Sequence, residues 1–349
     1  MDVRPAGTEG LPADAHPRRA LVCALDWGLG HATRTTPLVR SLQDRRSEVV
    51  LASNGRAAAF WRSEFPDLEL RELPDYGVRY APGPWLVPTL LASFPRLLGA
   101  IRAERGLVRR WAGEFDLVVS DNRYGCAIPG VRSVLLTHQL RLAAPRRLSW
   151  MEPFGERLMA RLCRPFGEVW IPDRPSGRIL SGRLGHPSRP DRFPTLQYVG
   201  PLSRLSAVDP DPAWSGPWDV VAVASGPEPS RTSFEDALRH ALVQRPGRHL
   251  LVRGRPDQIS APLADGTGLV EVPHLSGGAL RAALQGAGTI VSRGGYSTVM
   301  DLDALGLLGE RCVFVPTPGQ TEQESLAADL SARGLCRNCR EDELGRLPT

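Results

Sequence analysis

Ser292, Arg293, Gly294, Gly295, Ser297, Thr298 and Asp301 fall within ten consecutive positions and together suit one chemistry. The arginine offers a planar fork of donors matched to phosphate, and the two hydroxyls add further donors. The paired glycines let a ligand come close to the backbone. The carboxylate of Asp301 can take hydrogen bonds from a sugar diol. These residues need a strand, a tight turn and a helix start to hold them, and residues 289–301 spell that order. Free N–H groups in the first helical turn would complete an anion site. Phosphate at the turn and ribose at the acid describe a nucleotide. A βα turn whose glycines serve only close packing is the competing reading, and the combination of Arg, Ser, Thr and Asp weighs against it.

Further clusters sit at other strand–helix junctions. Gly28, Gly30 and His31 follow the apolar run 20–25. A dinucleotide fingerprint would need a third glycine where Thr33 stands, which argues against NAD. His31 has the side chain best suited to act as a general base near neutral pH, or else it caps or packs a helix start. Asp121 and Asn122 end the segment 115–120, and His138 and Gln139 end 131–137. Each pair is suited either to lining a cleft or to turning the chain. Ser225 and Gly226, with Arg231 beyond them, follow 219–224, and Gln320 and Gln323 follow 311–315. Neutral amides suit neutral hydroxyls, and glutamine is a poor helix cap. No metal site emerges. Asp301 and Asp303 diverge by about 200° on a helix, so they cannot share a cation.

The elements that must position these groups alternate along the chain. Strand-like runs at 20–25, 48–53, 68–73, 115–120, 131–137 and 168–171 are separated by helical stretches. Residues 172–193 are rich in Pro, Gly, Arg and Ser, and 197–201 read as a hinge. A second alternation follows, with strands at 219–224, 249–253, 269–272, 289–292 and 311–315 and helices from 231, 276 and 320. Such alternation specifies parallel sheets covered on both faces. The expected fold is α/β, with two doubly wound, Rossmann-like domains facing a cleft. Residues 1–18 form a leader expected to be disordered, 19–198 the first domain and 199–349 the second. Ligands of such sheets bind outside the carboxyl ends of the strands.

Composition narrows the classes. At 349 residues, two domains are the natural expectation. A 42% hydrophobic and 23% charged composition is that of an ordinary globular protein. No apolar run approaches the roughly 20 residues that span a bilayer. The N-terminus lacks the apolar core of a secretion signal, and the six cysteines include no paired zinc motif beyond a lone Cys336-x-x-Cys339. A reducing cytoplasmic setting is expected. All 43 basic residues are arginine, which excludes a Walker-A loop, a Schiff base and a lysine base. The net charge of +5 suits anionic substrates or membrane surfaces. Nucleic acid is disfavoured, because the arginines are dispersed. Residues 85–101 and 141–164 mix apolar groups, including Trp85, Phe94, Trp150, Met151 and Phe154, with arginine. They read either as core-packing faces or as surfaces lying on a membrane.

Residues 292–301 resemble the nucleotide-sugar signature of the family 28 glycosyltransferases, Ser-Arg-Ser-Gly-Ala-x-Thr-x-x-Glu. Ser292, Arg293, Gly295 and Thr298 match it, and Asp301 stands in place of the ribose-binding Glu. The chain is also similar to a group of predicted bacterial glycosyltransferases that carry Asp-Trp-Gly-Leu-Gly-His and Pro-Thr-Pro-Gly-Gln-Thr-Glu-Gln, found here at 26–31 and 316–323. The resemblance implies the GT-B architecture and a metal-independent transferase without cofactor. By the same resemblance its donor would be a UDP-linked nucleotide sugar, with an N-acetylhexosamine among the candidate sugars. It implies His31 as base, with Gly28, Gly30, Asp121, Asn122, His138 and Gln139 on the acceptor side. Ser225, Gly226, Arg231, Arg293, Gly294, Gly295, Ser297, Thr298, Asp301, Gln320 and Gln323 would hold the donor. The hydroxyl acceptor is unidentified, with a lipid-linked one included, which would put the protein on the inner face of a membrane. A hydrolase or epimerase of nucleotide sugars, or a binding protein without catalysis, fits the same residues. Relatives often end in a helix that returns to the first domain. Only about 15 residues follow the last helix here, so that helix is expected to be short or missing.

Overall fold

The computed structural model describes residues 17–77, 86–142, 150–226, 228–255, 258, 263–264, 266 and 268–346. Most of the expected leader, with Trp85 and Pro227, lies outside the described residues. The leader's last two residues are tied to the sheet. Ser47 Oγ donates to the Pro17 carbonyl at 2.6 Å, and the Arg18 N–H donates to Asp116 at 3.0 Å. The chain divides into two compact units at Leu202–Ser203.

The first unit begins β1 (Arg19–Ala24), α1 (Leu29–Asp44), β2 (Glu48–Ser53), α2 (Gly55–Glu64), β3 (Glu69–Glu72) and α3 (Leu86–Val108). It continues β4 (Leu117–Asp121), β5 (Arg132–Leu136), α4 (Glu152–Cys163), β6 (Glu168–Ile171) and β7 (Thr195–Tyr198). The strands form one sheet in the order β3-β2-β1-β4-β5-β6-β7, and every pairing is parallel. Central strands are buried along nearly their whole length, as in the run Leu117–Asp121, because helices cover both faces. The edge strand β3, Glu-Leu-Arg-Glu, is polar, which discourages pairing with another chain.

The second unit holds β8 (Trp218–Val223), α5 (Ser230–Val243), β9 (His249–Val252), β10 (Leu263–Ala264), β11 (Leu269–Val272) and α6 (Gly277–Gln285). Then come β12 (Ala287–Ser292), α7 (Tyr296–Ala304), β13 (Cys312–Phe314), α8 (Thr321–Ala332) and β14 (Arg337–Asn338). Its sheet runs β10-β11-β9-β8-β12-β13-β14, parallel except for the β10–β11 edge. Both sheets reverse their winding beside the first strand of the unit, between β1 and β4 and between β8 and β12. Those are the points where doubly wound sheets bind ligands. Among the described residues, no helix is long and apolar enough to cross a membrane.

A buried charge network fixes the loops at the end of the first sheet. Arg123 and Glu104 are both fully buried and pair at 2.7 Å. Arg123 Nε also donates to the Ala24 carbonyl at 2.8 Å, and Glu104 accepts from Tyr76 at 2.6 Å and from the Gly125 N–H at 2.9 Å. Helix α3 is thereby joined to the ends of β1 and β4. Arg123→Met should destabilise the protein by about 3–5 kcal/mol, because Glu104 is left as a buried unpaired charge. Adding Glu104→Gln should restore part of that loss. Urea unfolding of the two variants measures both, and equal losses would mean that the stranded Glu104 charge is not the source of the destabilisation.

Candidate functional site

In the first unit the loops after β1 and β4 meet at the reversal of the sheet. Gly28, with φ 112°, sits in backbone space that favours glycine and turns the chain into α1. Gly30 and His31 then lie in the first helical turn. Asp121, the last residue of β4, is wholly buried there. A carboxylate can only accept, so His31 Nδ1–H donates to Asp121 Oδ1, at 3.0 Å. That leaves Nε2 of His31 as the basic nitrogen, on a side chain 15% exposed.

Arg34 completes this group and was not anticipated from the sequence. It is buried, and its Nε donates to Asp121 Oδ2 at 2.6 Å while Nη2 pairs with Oδ1. Its Nη1 donates to His138 Nδ1 at 3.0 Å, so His138 must keep its ring proton on Nε2. Burial alone would raise the Asp121 carboxyl, but the charges and hydrogen bonds of Arg34 and His31 hold it below the usual value. His31, Asp121 and His138 are thus drawn into one chain through Arg34. The only sequence signal was its place three residues after His31, on the same helical face. Asn122 turns the chain after Asp121 with φ 53°, and its amide oxygen is buried without a partner among the described residues. The Gln139 N–H donates to Thr137 Oγ1 at 3.0 Å and its side chain is half-buried. Asp26 lies behind this group: its carboxylate accepts from the Ala57 N–H at 2.9 Å and caps α2. A Cβ on Gly55 would come within 2.0 Å of that carboxylate.

In the second unit the loops after β8 and β12 flank the matching reversal. Helix α7 starts at Gly295 without a side-chain cap, and Ser297 and Thr298 stand half-buried in its first turn. Backbone N–H groups and two hydroxyls are thereby gathered at one helix start, a composition suited to an anion. A Cβ added at Gly294 would meet Phe314 and Ala327 at ordinary contact distances, so packing alone does not require glycine there. Ser225 and Gly226 are half-buried after β8.

Two expectations are corrected here. Arg231 does not face a diphosphate. Its N–H groups are all taken, by Glu228, Glu235, Thr232 and the Arg253 carbonyl, and the residue is buried. Glu228 also accepts from the Thr232 N–H and hydroxyl, so a carboxylate already occupies the positive end of α5. Arg293 is likewise internal. It donates to the carbonyls of Val315, Pro316 and Ser230, pairs with Glu341 and lies 3.9 Å from the Phe234 ring centre. Its burial lowers the guanidinium pKa, against the pull of Glu341. Both residues brace loops rather than meet a ligand.

Asp301 accepts from Ser203 Oγ at 2.5 Å, a partner with no signal in the sequence. Burial pushes its carboxyl up to about 6, although the Ser203 hydrogen bond and the Arg204 charge pull the other way. Nearby, burial and then Arg204 bring His274 down to about 4. Gln323 Oε1 accepts from the Thr317 N–H at 2.9 Å and shapes the loop before α8, where Gln320 is the N-cap. No group of three or more His, Cys, Asp or Glu side chains suited to a metal ion occurs among the described residues.

No protein-family model matches the chain, and a search of curated protein sequences returns no match. Its fold is nonetheless shared with solved glycosyltransferases of GT-B type. The calicheamicin glycosyltransferase CalG4 aligns with a TM-score of 0.58 at 18% identity, over 94% of this chain and 87% of its own. The glycosyltransferase SnogD from Streptomyces nogalater aligns at 0.55 and 19% identity, over 94% and 87%. MurG from Acinetobacter baumannii aligns at 0.53 and 15% identity, over 95% and 89%. At these identities the likeness is one of fold: two parallel α/β domains of GT-B type.

Asp301 and His274 give the second unit two opposed pH responses. The folded protein holds the Asp301 proton more tightly than the unfolded chain does. Its contribution to stability is therefore full below the ordinary value of 3.8 and is lost as pH rises through about 6. His274 works in the opposite sense, and its contribution is lost as pH falls from 6.5 through about 4. In the wild type the two slopes offset each other. Asp301→Asn should leave the histidine slope alone, so its melting temperature should climb with pH across this window more steeply than that of the wild type. Thermal melts over a pH series test this, and parallel curves would show that the Asp301 carboxyl titrates normally.

Proposed function

We propose that this protein is a glycosyltransferase that moves a sugar from a UDP-linked donor to a hydroxyl acceptor without a metal ion. The observation that carries the reading is the His31–Asp121 pair at the winding reversal of the first sheet, in a chain of GT-B fold. His31 Nε2 takes the proton of the acceptor hydroxyl, and Asp121 holds the ring in the required tautomer and stabilises the imidazolium that forms. The acceptor oxygen then bonds to the anomeric carbon as the bond from that carbon to the diphosphate oxygen breaks, and the electron pair leaves on the nucleoside diphosphate. Its charge is met by the uncapped first turn of α7 with Ser297 and Thr298, in place of a metal. Asp301 receives the ribose hydroxyls through the oxygen that Ser203 does not engage. Gln320 and Gln323, through its amide N–H groups, bind sugar hydroxyls. Six free cysteines, five of them buried, suit a reducing compartment.

Two substitutions make a crossed test. Asp301→Asn should weaken the UDP-sugar and free UDP alike, by roughly ten- to 150-fold, since both share the nucleoside. His31→Ala should leave UDP affinity near wild type and lower turnover about 10²–10⁴-fold. Calorimetry and product analysis with a chelator present read both. Nucleotide sugars that fail to bind would remove the donor assignment. Release of free sugar or of an epimer without an acceptor would replace transfer by hydrolysis or epimerisation.

A further inference from the structure

Helix α4 separates its charges by face. Its acids point inward: Glu152 and Glu156 are buried and engage Arg141, Arg183 and Ser188. Its arginines point outward. Arg157, Arg161 and Arg164 are exposed, and no ion pair to them is found among the described residues. Their spacing of four and three puts them on one stripe with Phe154 and Trp150. With Arg192 they line a groove of about 630 Å³, whose one acid, Asp191, is already paired with Arg189 at 3.0 Å.

The N-terminal end of the stripe is apolar. Among the described residues five large hydrophobic side chains are exposed, and four of them, Leu142, Trp150, Met151 and Phe154, belong to this end of the helix. Trp150 is 65% and Phe154 57% exposed, and their rings meet edge to face at 6.5 Å. An aromatic and aliphatic tip followed by about 18 Å of arginine-studded helix is built for a boundary between hydrocarbon and phosphate.

We propose that this face of α4 docks on an anionic phospholipid surface, with Trp150, Met151, Phe154 and Leu142 entering the acyl boundary and the arginines on headgroup phosphates. Charge complementarity selects the occupant. A second copy meeting this face about a two-fold axis would set like charges against each other. A nucleic acid would need open ring faces for its bases, and Arg157 already lies over Phe154 at 5.5 Å from the ring centre. The docking rests on the first unit alone and does not depend on the reaction assigned above.

The test is co-sedimentation of the full chain with vesicles of phosphatidylcholine, with and without phosphatidylglycerol. The wild type should sediment with the anionic vesicles and be released by high salt. Arg157→Gln/Arg161→Gln/Arg164→Gln should lower that partition about a hundredfold. Trp150→Ser/Phe154→Ser should lower it about tenfold or more, with the same melting temperature and the same UDP affinity as wild type. Equal sedimentation with neutral and anionic vesicles, or none with either, overturns the proposal. So does an arginine variant that binds as wild type. Tighter binding of a single-stranded oligonucleotide through the same arginines would make this a nucleic-acid surface. A dimer in velocity sedimentation that the variants abolish would make it a self-contact.

Discussion

A carboxylate with no access to water, at the end of a central strand, is the constraint from which the first unit takes its shape. Asp121 is buried on all sides, and a bare charge there would be too costly to keep. Arg34 meets both of its oxygens and His31 one of them, so its ionised form is the stable one. Because it is held ionised, it can only accept, which sets the tautomer of His31, and Arg34, which can only donate, sets that of His138. The first turn of α1, the end of β4 and the loop after β5 are registered against one another by a handful of charge-assisted hydrogen bonds. Remove the acid and a buried guanidinium loses its counter-ion, so the geometry of His31 and the stability of the fold have the same source.

The second unit uses arginine in a different way. With no lysine in the chain, every fixed positive side chain has a planar five-donor fork. Arg231 and Arg293 spend those donors on carbonyls and carboxylates from neighbouring loops. They are cross-braces beneath the loops after β8 and β12. Around them lie glycine backbone, two half-buried hydroxyls and two half-buried amides, with the exposed carboxylate of Glu228 at the start of α5. In the proposed reaction, attraction for the diphosphate comes from the aligned peptide groups of α7, which carry partial charge and need no counter-ion of their own.

Strands β2, β6 and β11 could be read from the sequence to the residue, since each is a compact β-favouring run bounded by loop residues. Strand β7 was not. Thr-Leu-Gln-Tyr is only half-buried at the sheet edge and follows a Pro- and Gly-rich stretch, so its pattern blends into a linker. The start of helix α2 was blurred by Asn54-Gly55, a pair typical of turns, and the carboxylate that accepts from its first turn is Asp26, far back in the chain. His31 and Asp121 were legible as separate candidates, while their pairing was a product of topology. Arg34 was invisible because an arginine on an amphipathic helix normally faces water, and the acid that draws it inward lies 87 positions away. The phosphate roles given to Arg231 and Arg293 were sound by residue type. In the fold, Arg231 is drawn to Glu228 and Glu235, three and four residues away along the chain, and Arg293 to Glu341, whose position only the folded chain reveals.

The pairing of Arg293 with Glu341 ties the loop after β12 to a short 3₁₀ turn, Glu341–Arg346, that lies beyond every strand of the sheet. Leu344 of the same turn is buried in the core with Phe234, beneath that arginine. On the ribosome, a chain grows from its N-terminus and folds as segments emerge. Strands β8 to β13 are therefore all available before the residue that locks this loop has been made. The first unit can finish its hydrogen-bonded group while synthesis continues, whereas the second holds a complete sheet with one buried guanidinium still lacking its carboxylate. Closure of the loop after β12 thus waits on a glutamate that is made after every strand of its sheet.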